Sequence, residues 1–259
     1  MEKSKKLTIK IITLFPPFIN SFVDAFGIVK RAIANGLLDL QAVDHRQFGI
    51  GERQVVDDRP YGGGVGMVLR ADILLKAIQA AKDSKLKTQN SKQIVNAKTK
   101  SKIRVILLCP QGKRFEQKDA ARLAKYDELI LVSGRYEGFD ERIRKFVDEE
   151  ISVGDYVLMG GELPALVIAE AVMRLRPGIL GKDESSLNES FSESSLEYPQ
   201  YTKPEVMEIR GVKRAISKKR ILRVPKVLLS GHHANIEKFR MEEAQKRTKK
   251  RRPDLLINK

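Results

Sequence analysis

The chain has 259 residues, of which 42% are hydrophobic and 32% are charged. That length can bury a sizeable core, and that balance is typical of globular proteins, which excludes a disordered or fibrous chain. Lys and Arg number 49 against 33 Asp and Glu, a formal net charge of +16, and 18 basic and 6 acidic residues lie between Lys203 and Lys259. This regional excess indicates a polyanionic partner, with a solvated basic face as the alternative.

The cysteine and histidine content excludes several other classes. Cys109 is the one cysteine, so an internal disulfide is excluded. The start of the chain shows no export signal, and no apolar run approaches the ~18 residues of a membrane span. We therefore expect a cytoplasmic protein that does not bind a membrane. Three histidines and one thiol give no recognised zinc spacing, so no metal site is predicted.

Strands and helices alternate in the first 180 residues. In chain order the pattern predicts a strand over Leu7–Leu14, a helix with Phe18, Phe22 and Phe26 on one face that ends at Asn35-Gly36, a strand over Leu37–Val43 and a helix over Ala71–Ala81. A strand over Ile103–Leu108 follows, then a helix over Gln117–Lys125, a strand over Leu129–Val132, a helix after Arg142 and a helix over Leu163–Leu175. The alternation predicts an α/β domain, residues 1–180, with a parallel sheet whose ligands bind where the strands end.

Three glycine-containing loops interrupt this pattern, at Asp57–Met67, Ser133–Arg142 and Ser152–Ala165. None has the spacing of a dinucleotide fingerprint or of a phosphate-binding loop, which argues against a classical Rossmann site. Residues 82–102 are rich in Lys, Ser, Gln and Asn and are predicted to be a flexible basic insertion.

The remainder of the chain changes character. Residues 181–195 are rich in Ser, Glu and Asp, which predicts an interdomain linker. Residues 196–259 are predicted to form a small, strongly basic domain that is mainly helical over Pro204–Arg240 and Met241–Arg252.

Five motifs taken together resemble the bacterial tRNA (guanine-N1-)-methyltransferase family of the knotted SPOUT superfamily. They are RPYGGGVGM (Arg59–Met67), LLCPQG (Leu107–Gly112), SGRYEGFDER (Ser133–Arg142), VGDYVLMGGELPA (Val153–Ala165) and YPQYTKPE (Tyr198–Glu205). The resemblance covers Ile9–Leu256, with gaps at 82–102 and near 213–222. It implies a deep trefoil knot at the C-terminal end of the α/β domain, which spacing alone does not suggest because knots are rare.

The same resemblance implies that S-adenosylmethionine binds, bent, against three loops of the knot, where small residues let the backbone approach the ligand. The implied binding residues are Leu108 and Pro110 on the first loop, Gly134, Tyr136 and Glu137 on the second, and Val153, Gly154, Asp155, Tyr156, Val157, Leu158, Gly160, Gly161 and Pro164 on the third.

The activity implied by the resemblance is methyl transfer to N1 of guanosine 37 of tRNA, 3′ of the anticodon. In the family a linker carboxylate before a Ser-Phe pair serves as general base, assisted by an arginine after the third-loop helix; here these positions hold Glu189 and Arg174. The family residue at the first position is aspartate, so Glu189 adds a methylene, and Glu184 and Glu193 are the fallback candidates. The family is also described as needing magnesium, for which no ligand cluster is evident.

The resemblance further implies a homodimer whose active site combines the knot of one subunit with the C-terminal domain of the other. The linker would become ordered on tRNA binding, and the Asp57–Gly64 segment would lie beside the site, with Val65 where a proline is usual. Two alternatives stay open. One is a knotted RNA methyltransferase with another target; the other is a tRNA-binding or ribosome-binding module that has lost catalysis, an idea invited by Glu189.

Overall fold

The structure is a computed structural model that describes residues 5–83, 101–180, 190–191, 195–209 and 220–257. The chain divides into two compact units, residues 1–183 and 184–259. Most of the predicted insertion, 82–102, and of the predicted linker, 181–195, lies outside the described residues. Within the described ranges, none of the helices combines the length and the apolar character that crossing a membrane requires.

A five-stranded parallel sheet forms the centre of the first unit. The strands of this unit are β1 (Leu7–Thr13), β2 (Leu38–Asp44), β3 (Asp57–Asp58), β4 (Val68–Leu69), β5 (Ile103–Arg114), β6 (Glu128–Ser133) and β7 (Glu149–Ser152). The main sheet has the order β2-β1-β6-β5-β7, and β3 pairs with β4 in a separate antiparallel pair. The predicted α/β class with a parallel sheet is confirmed.

Helices pack on both faces of this sheet. They are α1 (Pro16–Ala25), α2 (Gly27–Ala34), α3 (Ala71–Lys82), α4 (Gln117–Leu123) and α5 (Glu162–Met173). Alternate residues of a strand point to opposite faces, so Ile106 joins the core cluster that contains residues of α1, α2, α4 and α5, whereas Leu107 joins the cluster that contains residues of α3. Burial on both faces explains the apolar runs Val105–Leu108 of β5 and Leu129–Val132 of β6.

The single helix predicted from Phe18 to Asn35 is wrong as one element. It breaks at Phe26, whose extended backbone (φ −100°, ψ 103°) separates α1 from α2. The following Gly27 has a low helix propensity, which favours a break at this point. Phe18 and Phe26 are 45% and 44% exposed, so the buried face of α1 depends on Ile19 instead.

Two local predictions near the end of the sheet need correction. The helix expected after Arg142 is a six-residue 3-10 turn, Glu141–Phe146, which begins where the Asp140 carboxylate accepts a hydrogen bond from the Arg142 amide. Strand β7 was not predicted because two of its four residues are glutamates. The structure pairs Glu149 with two arginines, which removes the cost of placing this carboxylate in a strand.

The second unit contains both strands and helices. Strands β8 (Val206–Ile209) and β9 (Arg220–Arg223) form an antiparallel pair, and helices α6 (His233–Arg251) and α7 (Asp254–Ile257) follow. The mainly helical prediction is therefore wrong for the first part of Pro204–Arg240, where apolar residues of β8 and β9 favour strand pairing. At the end of the chain, α6 is one continuous helix that runs across the predicted division at Arg240.

Candidate functional site

A cleft of about 420 Å³ opens beside the irregular segment of β5 and at the ends of β6 and β7. Its walls come from three segments: residues 108–111, where the pairing of β5 with β7 is irregular, residues 134–141 after β6, and residues 151–164 between β7 and α5. Ligands of open parallel sheets bind at this edge. The volume falls within the range of small-molecule sites, roughly 300–1,000 Å³.

Thirteen of the residues predicted to bind the cofactor line this cleft. They are Leu108, Pro110, Gly134, Tyr136, Glu137, Val153, Gly154, Tyr156, Val157, Leu158, Gly160, Gly161 and Pro164. The fourteenth, Asp155, is not among the lining residues. The structure therefore brings three segments that are separated in sequence into one cleft, while their binding of a cofactor stays a prediction.

The second and third segments touch through their backbones. The Gly161 amide donates a hydrogen bond to the Gly134 carbonyl oxygen at 2.9 Å. A Cβ atom built on Gly161 would lie 2.6 Å from the Gly134 nitrogen and 2.7 Å from the Ser133 Cα, and one built on Gly134 would lie 2.8 Å from the Phe139 ring. A side chain at Gly161 would push these two walls apart, so this approach requires glycine.

A buried carboxylate joins the same two segments to the end of β1. Glu162, at the start of α5, is 2% exposed, and its Oε1 accepts a hydrogen bond from the Thr13 hydroxyl at 2.8 Å. Its Oε2 accepts from Nε of Arg135 at 2.9 Å. The Arg135 guanidinium also lies 4.3 Å from the centre of the Phe15 ring. Sequence reasoning missed Arg135 and Glu162, although both lie inside the motifs it singled out.

The glycine loop that precedes β4 reaches the wall of the cleft. The Glu137 amide donates to the Met67 carbonyl oxygen at 3.0 Å, and a Cβ atom built on Gly66 would lie 2.5 Å from Cγ of Glu137. Tyr136 has a φ of +58°, a conformation that non-glycine residues rarely adopt and that is concentrated at functional sites. These contacts involve Gly66 and Met67, so the placement of the Asp57–Gly64 segment beside the site stays a prediction.

A polar cluster forms the rim next to the first segment. The Cys109 thiol, half-buried, lies 3.2 Å from Oε2 of Glu150, which also pairs with Arg144. Arg144 donates to Gln111 at 2.8 Å and pairs with Glu141 at 2.8 Å. Among the described residues, no group of three or more His, Cys, Asp or Glu side chains is arranged to hold a metal ion.

Of the two predicted catalytic residues, the structure describes Arg174 but not Glu189. Arg174 is exposed at the C-terminal end of α5 and does not line the cleft. Glu189 lies outside the described residues, as do the fallback candidates Glu184 and Glu193. Their roles stay predictions.

The Ser-Phe pair that follows Glu189 is described, and it is held within the second unit. The Glu197 amide donates to the Ser190 hydroxyl at 3.0 Å. The Phe191 amide donates to the Ser195 carbonyl oxygen at 2.7 Å, and the Arg252 guanidinium lies 5.5 Å from the centre of the Phe191 ring.

The second unit also presents a basic helix and an aromatic pocket. Helix α6 has the sequence HANIEKFRMEEAQKRTKKR and ends in Lys249, Lys250 and Arg251, all exposed. The pocket includes the YPQYTKPE motif, and the Arg240 guanidinium lies 4.8 Å from the centre of the Tyr198 ring. Cations beside aromatic rings are typical of surfaces that bind nucleic acid.

The first unit has a cleft of small-molecule size at the carboxyl edge of a parallel sheet, and two walls of the cleft meet through glycine backbone. This arrangement is typical of ligand-binding α/β proteins. Comparison with known proteins gives the family. The model of the tRNA (guanine-1)-methyltransferase family, TrmD, matches residues 7–258, and the chain belongs to this family.

Named relatives agree with this assignment. The chain is 47% identical over 252 residues to a tRNA (guanine-N(1)-)-methyltransferase of Shouchella clausii, covering 96% of this chain and 91% of the relative. It is 44% identical over 253 residues to the enzyme of that name from Listeria innocua, covering 97% and 93%. It is 45% identical over 251 residues to that of Halalkalibacterium halodurans, covering 96% and 91%.

Proposed function

We propose that this chain transfers a methyl group from S-adenosylmethionine to N1 of guanosine 37 in tRNA, in the cytoplasm. The observation that carries the proposal is the cleft in which three separate motif segments meet at the carboxyl edge of the sheet. Membership in the tRNA (guanine-1)-methyltransferase family supplies the reaction and the substrate.

The cleft suits a cofactor that is recognised mainly by backbone groups. Gly134 and Gly160 line it without a side chain to cover their main-chain atoms, and half-exposed Tyr136 and Tyr156 offer aromatic surface at its edge. When bound, S-adenosylmethionine supplies an electrophilic methyl group on a sulfonium centre. The chain's part is to orient that group and to exclude water from it.

Methylation of N1 also requires removal of the proton that this nitrogen carries in guanosine. We assign this step to the Glu189 carboxylate, with the Arg174 guanidinium stabilising the negative charge that develops on the guanine. Glu189→Gln keeps the side-chain size but cannot accept the proton. We expect it to spare cofactor binding and to lower turnover at least about a hundredfold, as measured by single-turnover methyl transfer.

The matched control is Glu193→Gln, a second glutamate of the same segment, which we expect to leave turnover near that of the wild type. If instead Glu193→Gln is inactive and Glu189→Gln is active, the base is Glu193 and the assignment of Glu189 is wrong.

We also propose that the cleft segments form a trefoil knot. Strand β5 pairs with β7 on both sides of its irregular segment, at Leu108 with Ile151 and at Lys113 with Ile151. The chain then leaves β7 at one edge of the sheet and returns to Gly134, at the end of β6, through Gly161. This path, from the edge strand back past β5, is the kind of crossing that a knot needs.

The proposal includes a homodimer that binds tRNA with its basic C-terminal domain, residues 196–259, connected by a linker at 181–195. Large apolar side chains of the third segment and of α5 are unusually exposed, with Val157 at 84% and Met159 at 92%, and Leu163 and Val167 about half exposed. Exposed apolar patches mark partner surfaces. The cations of α6 supply charge for phosphate contacts.

Among the residues that the structure describes, no group of three or more carboxylate, histidine or thiol side chains is arranged around a metal ion. No step is assigned to magnesium.

The function is tested with purified protein, S-adenosylmethionine labelled in its methyl group, and two tRNA transcripts that carry guanosine or adenosine at position 37. We expect label in the first transcript and none in the second. Equal labelling of both would indicate a different target, and binding of tRNA without labelling of either would indicate a module without catalysis.

A further inference from the structure

We propose that Glu162 is a positioning residue for methyl transfer: its buried carboxylate holds Arg135, and through Arg135 it sets the spacing between the second and third walls of the cofactor cleft. This inference rests on the proposed function, because it assumes that the cleft binds S-adenosylmethionine.

The carboxylate of Glu162 is buried and each of its oxygens is used. Oε1 accepts from the Thr13 hydroxyl at 2.8 Å, and Oε2 lies 2.9 Å from both Nε and Nη2 of Arg135. A buried carboxylate is stable only when its charge is compensated, so the Arg135 cation is tied to this point. Hydrogen bonds between charged groups are stronger than neutral ones, and the paired geometry at Arg135 also fixes its orientation.

Arg135 connects Glu162 to the third segment of the cleft. Its Nη1 donates to the Met159 carbonyl oxygen at 3.2 Å, and both residues line the cleft. A Cβ atom built on Gly160 would lie 2.3 Å from Nε of Arg135, so the guanidinium packs directly against the third segment. Because Arg135 stands between Gly134 and Tyr136, its position determines where those lining residues lie.

Glu162 itself is not among the lining residues, and the methyl acceptor's chemistry is left to other groups. Removing the negative charge at Glu162 frees the Arg135 guanidinium, whose side chain is already 26% exposed, to turn toward water in the cleft. The expected defect is therefore weaker cofactor binding, with the rate of the saturated enzyme changed much less.

The test is Glu162→Gln, which keeps the side-chain volume and the acceptor for Thr13 but loses the charge that holds Arg135. We expect the Kd for S-adenosylhomocysteine, measured by calorimetry, and the KM for S-adenosylmethionine each to rise about tenfold. We expect kcat with saturating cofactor to change by less than about threefold. The control is Glu170→Gln, an exposed glutamate of the same helix, which should match the wild type in all three quantities.

Two further variants keep the inference testable if Glu162→Gln does not fold. Arg135→Lys retains a positive charge, but its single nitrogen cannot replace the two-nitrogen contact with Oε2 and still reach Met159, so it should also raise KM about tenfold. The double variant Arg135→Gln with Glu162→Gln should have a KM no higher than that of whichever of the two single variants has the higher KM, because the two residues act as one unit.

A folded Glu162→Gln or Arg135→Lys protein with a wild-type KM and Kd would overturn the inference. So would a loss confined to kcat. If the wild-type protein itself binds no S-adenosylhomocysteine, the proposed function fails instead, so the two failures are distinguishable.

Discussion

Gly161 shows how a single residue shapes this cleft. A Cβ atom there would lie 2.6 Å from the Gly134 nitrogen and 2.7 Å from the Ser133 Cα, which are backbone atoms that cannot rotate away. Gly161→Ala should therefore separate the two walls and break the hydrogen bond to Gly134. We expect the Kd of this variant for S-adenosylhomocysteine to rise at least about tenfold and the midpoint of its thermal unfolding to fall. The reason is that the substitution both breaks a hydrogen bond and displaces the backbone of the cleft.

The matched control is Gly27→Ala. A Cβ atom on Gly27, at the start of α2, meets nothing within 4 Å, and its backbone is helical. Gly27→Ala should bind S-adenosylhomocysteine like the wild type. Normal binding by Gly161→Ala as well would show that this backbone contact does not shape the cofactor site.

The residues of the cleft are predictable from sequence only where a motif marks them. Gly134, Tyr136 and Gly161 stand in such motifs and line the cleft as predicted. Arg135 and Glu162 stand in the same motifs, but their role depends on a contact with Thr13, which is 149 positions from Glu162. No local pattern signals a partner at that distance.

At the scale of elements, the buried strands are predictable because both faces of the sheet are covered. Leu129–Val132 is a continuous apolar run and Ile103–Leu108 is interrupted only by Arg104, and the structure contains β5 and β6 there. Strand β7 escapes prediction because it carries Glu149 and Glu150, which become acceptable in a strand only through arginines supplied by other elements.

Strand β7 leads into the third segment of the cleft. Glu149 connects this strand to β5 and to α4. Its carboxylate accepts from Arg104 of β5 at 2.8 Å and from Arg122 of α4 at 2.7 Å. Burial raises the pKa of Glu149, but the hydrogen bonds from Arg122 and Arg104 outweigh it and hold the pKa below its usual range. We expect Glu149→Gln to lower the free energy of unfolding at pH 7 by about 2 kcal/mol, as measured by urea denaturation.

The stabilisation by Glu149 should decrease as the pH falls. Because the folded-state pKa is depressed, the stabilisation is complete above the ordinary pKa of a glutamate, about 4.3, and is lost as the pH falls through the folded-state value. The difference between the wild type and Glu149→Gln should therefore shrink below about pH 4. Glu116→Gln, which removes an exposed pair with Lys118, should change stability by less than about 0.5 kcal/mol. An equal loss for both variants would contradict the role of Glu149.

For the whole molecule, the positive charge concentrated after Lys203 predicts salt-dependent tRNA binding. Each phosphate that a cation neutralises contributes about 0.7 to 0.9 to the slope of log Kd against log salt. Replacing Lys249, Lys250 and Arg251 with glutamine should weaken binding and lower that slope by about one for each phosphate that is no longer neutralised.

The control replaces three exposed lysines of α2 and α3 with glutamine and so removes the same net charge. They are Lys30, Lys76 and Lys82. If both triple variants lower the slope equally, the effect is one of overall charge, and α6 is not a specific phosphate-binding surface.

Composition predicts a basic protein with a nucleic-acid partner, but not its topology. The proposed knot and the proposed homodimer rest on the family resemblance, because neither the threading of a chain nor the pairing of two copies leaves a periodic signal in one sequence. The β8–β9 pair escapes prediction for a related reason, since its strands are only four residues long.

The central claim, that the three-walled cleft delivers a methyl group to N1 of guanosine 37, is tested most directly by identifying the product nucleoside. Transcribed tRNA with guanosine 37 is treated with the enzyme and S-adenosylmethionine, digested, and analysed by mass spectrometry against nucleoside standards, with the position mapped on nuclease fragments. We expect 1-methylguanosine at position 37 alone. A methyl group on a ribose oxygen, on another ring nitrogen or at another position would contradict it.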